Sequence, residues 1–223
     1  MKYVLFLVFF AGFVLLSACG KKQPVVPEQA PAATLLPPGA APGASPEPSQ
    51  DDAEKAKKLA ALDYATMEDQ YLNDPHAQWA SSASASSTFG DDNGAKPSDV
   101  NVATNVIGAV DGNSWSNNHQ DVGIDWLKVG FEKPVYATEI RVVFVGGQGV
   151  EAVSKLEVQD AQDQWVTVWS GLSDVKTDPR GSRTWFVKKF DKTKTPTKAV
   201  KITIANAVQP GYKVIDAVQL VGE

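Results

Sequence analysis

The sequence predicts an all-β fold: an eight-stranded antiparallel β-sandwich of the jelly-roll kind, entered through a short helix and a proline-rich tether. Three observations carry that expectation. From Ala77 onward apolar and polar residues alternate at period two, all six tryptophans lie beyond that point, and Gly, Pro, Asp and Asn break the runs at short intervals. Val200, Ile202 and Ile204 alternate with Lys201 and Thr203, and Leu156 and Val158 alternate with Lys155, Glu157 and Gln159. Ile140, Val142 and Phe144 share a face in the same way. Strands are expected near 78–86, 124–131, 135–145, 153–160, 164–169, 183–190, 198–205 and 213–221 of the 223 residues. That pattern over 77–223 fits a sandwich or jelly roll, and no internal repeat is visible.

The segment before the sandwich divides into three. Residues 1–18 carry Lys2 and then the uninterrupted apolar run Val4 to Leu16, the layout of a secretory signal and too short to favour a spanning helix. Residues 19–50 hold eight of the 14 prolines and no aromatic residue, so they cannot bury enough surface to offset their ordering entropy. An extended tether of this composition reaches roughly 100 Å at most. Residues 51–74 read as one helix from about 52 to 72, opened by Asp51 and Asp52 and closed by Asn73-Asp74-Pro75. Its apolar stripe, Leu59, Leu62 and Met67, is thin, which suits a solvated or loosely docked helix.

Leu16-Ser17-Ala18-Cys19 resembles the lipobox of bacterial lipoproteins. That resemblance implies cleavage before Cys19, acylation of its thiol with palmitate-like chains and anchoring in the lipid bilayer of the cell envelope. With Gly20 rather than Asp next, it implies the outer membrane if the cell is Gram-negative. Cys19 is the only cysteine, so no intramolecular disulfide forms. Each buried CH₂ of an acyl chain contributes about 0.8 kcal/mol, and several chains together make the anchor effectively permanent.

Further along, WASSASASSTFG (Trp79 to Gly90), GAVDGNSW (Gly108 to Trp115), DWLKVGFEKPVYATEIRV (Asp125 to Val142), QWVTVWSG (Gln164 to Gly171) and IDAVQLVG (Ile215 to Gly222) follow one another in order. The ordered set is similar to the discoidin-like superfamily of coagulation factor C-type, galactose-binding-like domains, above all its bacterial branch. The resemblance implies a jelly roll with its chain ends close together and binding loops at one tip. Members bind sugars, lipid headgroups or proteins, and the fold names no ligand. Many also wrap a structural Ca²⁺ in the loop that corresponds to GAVDGNSW. Here Asp111, Asn113 and Ser114 supply loop oxygens of the hard kind that Ca²⁺ takes. The carboxylate that usually follows the alanine of the last strand is replaced by Val218 after Ala217, leaving Asp216 as the substitute. The loop is thus either a metal site or a plain Asp-Gly turn, with Trp115 in the core behind it.

Two histidines, His76 and His119, and the lack of HExxH, GxSxG, P-loop or paired-cysteine patterns give catalysis no motif. A net charge of −5 without a dense Lys/Arg cluster argues against nucleic acid. Binding surfaces are the better candidates. If Val166 and Val168 face the core, Trp165 and Trp169 both lie on the outer face, suited to a sugar ring or a protein; the alternative is that Trp165 is covered by the neighbouring strand. A second candidate is a loop tip made of His119, Arg180, Arg183 and Tyr212. The expectation is a membrane-anchored lipoprotein displaying a non-catalytic module for an envelope or surface glycan. The alternative is an interaction lipoprotein whose sandwich docks onto another envelope protein.

Overall fold

The structure, a computed structural model, describes residues 49–91 and 100–223. The chain divides into two compact units, Met1–Pro46 and Glu47–Glu223, and the described residues all belong to the second. The signal segment, Cys19 and all but the end of the tether lie outside them.

The described chain is one helix followed by two five-stranded antiparallel sheets. Helix α1 (Gln50–Leu72) starts where Ser49 accepts a hydrogen bond from the Asp52 amide at 3.2 Å and ends where Asn73 returns its amide to Asp69. Sheet one orders β1 (Ala77–Trp79), β10 (Val214–Gly222), β5 (Ala137–Val145) and β8 (Arg183–Lys189), with β3 (Trp115–Ser116) on the same side of β10 as β1. Sheet two orders β2 (Ser82–Ala85), β4 (Ile124–Val135), β9 (Thr197–Ala205), β6 (Val153–Gln159) and β7 (Trp165–Ser170).

All eight predicted runs are strands. The first splits because the chain changes sheets within it: the Ala80 amide donates to Val218 of β10, and the next amide, Ser81, donates to Gly130 of β4. The two-residue β3 is too short for periodicity to reveal. Between the sheets lies one core that includes Leu127, Ile140, Phe144, Leu156, Phe186, Ile202 and Leu220 at 0 % exposure. These are the alternating apolar positions, and a period-two strand can bury them all on one face only when both sheets turn that face inward.

The helix is docked more firmly than its leucines suggest. Leu59 and Leu62 are 52 % and 61 % exposed, and the contact is made instead by Tyr64, Met67 and Tyr71 on the outer face of sheet one. Tyr64 sits on Gly181, where a Cβ would come within 2.2 Å of the ring, and its hydroxyl donates to the Arg183 carbonyl at 3.0 Å. Burial first, and the charge of Glu68 second, push the Tyr64 phenol up to about 12. Tyr71 meets Trp185 at 5.0 Å between ring centroids, and the Arg141 guanidinium lies over the Tyr71 ring at 4.4 Å. That guanidinium also pairs with Asp74 at 2.7 Å, with Glu139, and with Gln219 at 3.2 Å, so its buried charge is fully met. Among the described residues, one side of the sandwich is therefore covered and the other is not.

Candidate functional site

One end of the sandwich collects the last residues of β2, β3, β5 and β9 and the first residues of β4 and β10. Its centre is a buried carboxylate. Asp125 occupies the inward parity of β4, in line with Leu127, Val129 and Phe131, and is 2 % exposed. Ser86 and Ser87 donate to its Oδ1 at 2.7 Å each, and Asn117 and Asn206 donate to its Oδ2 at 3.1 and 2.8 Å. Burial pulls this carboxyl upward, but the hydrogen bonds from Ser86, Asn206, Ser87 and Asn117 outweigh it and hold the group below the usual carboxylate range. His119 stands above it with Nδ1 3.4 Å from Oδ2 and its side chain 52 % exposed.

Lys213 ties the loops together from below. It is 0 % exposed, and its ammonium donates to the carbonyls of Gln120 and Gly211. Burial lowers its pKa, while Asp121 and Asp125 oppose that. Its stem crosses Gly149, which has φ 102°, and a Cβ there would lie 2.8 Å from Lys213 Cβ, so glycine is required twice over. The Gly211 amide donates to Asp121 at 2.9 Å, and Tyr212 meets Phe89 edge-to-face at 4.8 Å. Around the buried polar centre the end thus presents an imidazole, a carboxylate and an aromatic pair.

Of the four residues predicted for the tip, the structure brings His119 and Tyr212 onto neighbouring, cross-bonded loops. The other two belong to different contacts. Arg180 pairs with Asp178 at 2.8 Å beside Tyr64, and Arg183 spans Glu68 of the helix at 3.3 Å and Asp216 at 3.5 Å. Both arginines face the helix, which sequence spacing cannot show. Asp125, Asn117, Asn206, Lys213 and Phe89 were missed. Asp125 had a signal: a charged residue at the core parity of an alternating strand is anomalous unless partners are waiting for it.

The expected outer-face pair of Trp165 and Trp169 is corrected by a bulge. Val166 is opposite Val158 and Trp169 is opposite Leu156, both core residues, with one extra β7 residue between them. Partners across a ladder point to the same face, so the bulge at Val168 turns Trp169 inward onto Phe186, 5.6 Å away, under the Lys188 ammonium. Trp165, opposite Gln159, stays on the outer face, so the indoles lie on opposite sides of the strand.

The GAVDGNSW loop is a tight turn whose oxygens have partners. Asp111 accepts from the Asn113 amide at 2.8 Å and from its side chain at 2.9 Å, and these bonds lower its pKa. Gly112 follows at φ 90°. The Ser114 carbonyl accepts from Asn105 at 3.1 Å. Asp216, in a β-bulge of β10 and pushed upward by burial, accepts from the Asp111 amide at 3.3 Å and faces the Arg183 guanidinium. Trp115 is fully buried behind the loop and donates to the Ser87 carbonyl. The donor set as placed does not fit a cation: a guanidinium already stands at Asp216, Asp111 is folded back on its own loop, and among the described residues no three His, Cys, Asp or Glu side chains converge.

No protein-family model matches the chain, and no curated protein matches it in sequence. Solved structures of similar shape include chitosan-binding module 1 of a chitosanase/glucanase from Paenibacillus sp. IK-5, at 13 % identity and TM-score 0.48 over 64 % of this chain and 95 % of that one. Another is CBM32-3 from a family 31 glycoside hydrolase of Clostridium perfringens, at 13 % and 0.49 over 68 % and 98 %. A third is the family 32 CBM of Clostridium perfringens NanJ in complex with galactose, at 17 % and 0.45 over 65 % and 98 %. The functional reading rests on this chain's own residues.

Two measurements check the site. Because the folded-state pKa of Asp125 lies below the ordinary value of about 3.9, the native state binds fewer protons than the unfolded chain as pH falls through that range. Its contribution is complete above that value and is lost as pH drops through the folded pKa. Asp125→Asn should therefore cost about 3 kcal/mol at pH 7 and distinctly less at pH 3, read from urea melts; an equal gap at both pH values would refute the assignment. Thermal melts with and without a calcium chelator should superimpose, and a drop in Tm with chelator would show that the Asp111 loop holds a cation after all.

Proposed function

We propose that this protein is a non-catalytic, lipid-anchored binding module that holds a glycan of the cell envelope or surface at the loop end of its sandwich. The observation that carries the reading is the arrangement over Asp125. A buried, fully bonded carboxylate sits 3.4 Å from an exposed imidazole, beside the Phe89–Tyr212 aromatic pair. A sugar presents an apolar ring face and a rim of hydroxyls, and this end offers an aromatic surface for the one and His119 and Asp121 for the other. Preorganisation is built in, because Lys213 and Asp125 hold the loops before any ligand arrives.

The same geometry speaks for binding rather than turnover. Ser86 and Ser87 donate to the carboxylate and not to His119, so neither of these hydroxyls is placed for the imidazole to activate. Two of the similarly shaped modules are a chitosan-binding module and a module in complex with galactose, ligands of the same chemical class. Anchoring through acylated Cys19 in the outer membrane or another envelope bilayer rests on the lipobox-like residues and completes the proposal. Among the described residues no helix is long and apolar enough to cross a membrane.

A second reading, docking onto an envelope protein, is favoured by one observation: Leu59 and Leu62 are exposed on a half-helix, Gln50–Asp63, in which only Ala60 is partly covered. Screening the protein on a glycan array decides between them. Retention of a glycan, weakened about fivefold by His119→Ala or Tyr212→Ala with the Tm unchanged, supports the loop end; no glycan retained, with an envelope protein captured through Leu59 and Leu62, supports docking. Labelled palmitate should be incorporated by the wild-type chain and not by Cys19→Ser, and equal labelling of both would remove the anchor.

A further inference from the structure

The helix packs on sheet one, and among the described residues no element covers the outer face of sheet two. The strand register maps that open face. Across the five strands, Ser82, Gly130, Ala199, Gln159 and Trp165 form one outward row, and Ser84, Lys128, Lys201, Glu157 and Thr167 form the next. Neighbouring strands lie about 4.8 Å apart, so each row runs about 19 Å across the sheet. Three consecutive positions of the first row carry a hydroxymethyl, no side chain and a methyl. The result is a depression of about 350 Å³ over Gly130 and Ala199, walled by Ser82, Lys128, Gln159 and Lys198. The trough leads to the indole of Trp165.

Its charge is opposite to that of the whole chain. The protein carries a net −5, yet the outward positions of this face hold Lys128, Lys155 and Lys201 against Glu157, with the Lys198–Asp163 pair at the rim of the depression. Lys128 and Lys201 are direct cross-strand partners, a like-charged pair that weakens a sheet unless something else compensates. Glu157 stands between Lys155 at 3.1 Å and Lys201 at 3.5 Å and steadies both. Lys198 reaches Asp163 in the β6–β7 turn at 2.6 Å, while Lys128 is exposed and makes no ion pair among the described residues.

We propose that the open face of sheet two is a second binding surface, shaped for a linear acidic polysaccharide. The chain lies in the Ser82–Gly130–Ala199–Gln159 trough, its carboxylates face the lysines, and one ring stacks on Trp165. Small residues in mid-face are needed for a polymer to lie close to the sheet, and an indole at the end of the row distinguishes a ring-bearing polymer from charge alone. The surface is separate from the loop end, so either can fail without the other.

The test is electrophoresis of the full-length protein through gels containing polygalacturonate, a neutral galactan or inorganic polyphosphate. Polygalacturonate should retard the protein more than either control, and added salt should weaken the effect because exposed charges are screened. Lys128→Glu and Trp165→Ala should each weaken retardation about fivefold. His119→Ala should leave it unchanged, and near-ultraviolet circular dichroism should report all three folds as intact. Retardation that survives both Lys128→Glu and Trp165→Ala overturns the proposal, as does its loss in His119→Ala, which would move the ligand to the loop end. Polyphosphate acting as strongly as polygalacturonate, with Trp165→Ala without effect, also overturns it in favour of a surface that senses charge only.

Discussion

A carboxylate taken out of water has to find donors, and Asp125 finds them at the ends of three other strands. Ser86 and Ser87 follow β2, Asn117 follows β3 and Asn206 follows β9. No two of these segments are adjacent in sequence, yet all must arrive together or a desolvated charge is left unmet. The network therefore fixes how the loop end closes, and His119, Tyr212 and Asp121 inherit their positions from it. Lys213 repeats the device with opposite sign, meeting backbone carbonyls of two loops with its buried ammonium. The loop end is rigid because its polar groups are buried, not in spite of it.

The two faces of the sandwich are treated differently, and that asymmetry organises the surface. On sheet one, Arg141 and Arg183 join the helix to β10 and β5 through Asp74, Glu68 and Asp216. Aromatic stacking of Tyr71 and Trp79 on Trp185 fills the space between those ion pairs. Arg183 also links the helix to the GAVDGNSW loop, since Asp216 holds the Asp111 amide. Among the described residues sheet two has no such cover, and its outer face presents Lys128 and the partly exposed Lys155, Lys201 and Trp165.

The sequence by itself determined the strands, and it did so through a simple constraint. A strand between two layers must alternate, so Val200, Ile202 and Ile204 declare both the element and its inward side. The helix was legible for a similar reason, with Asp51 and Asp52 at its start and Asn73-Asp74-Pro75 at its end, while the Ser49 cap emerged only from the structure. Asp125 was missed, although a charge at the core parity of an alternating strand is a signal the sequence carries. Tertiary structure decided everything that depends on partners distant in the chain. A one-residue bulge at Val168 reversed the face of Trp169, although the spacing with Trp165 reads as regular alternation. Arg180 and Arg183 sit close to His119 and Tyr212 in type but were drawn to the helix by Glu68, Asp178 and Asp216. At the Asp111 loop, Asp111 accepts from its own loop's Asn113, while the distant Arg183 reaches Asp216. Periodicity is a local property written into consecutive residues, whereas the pairing of buried charges is settled only when the folded chain brings its separate segments within a few ångströms of each other.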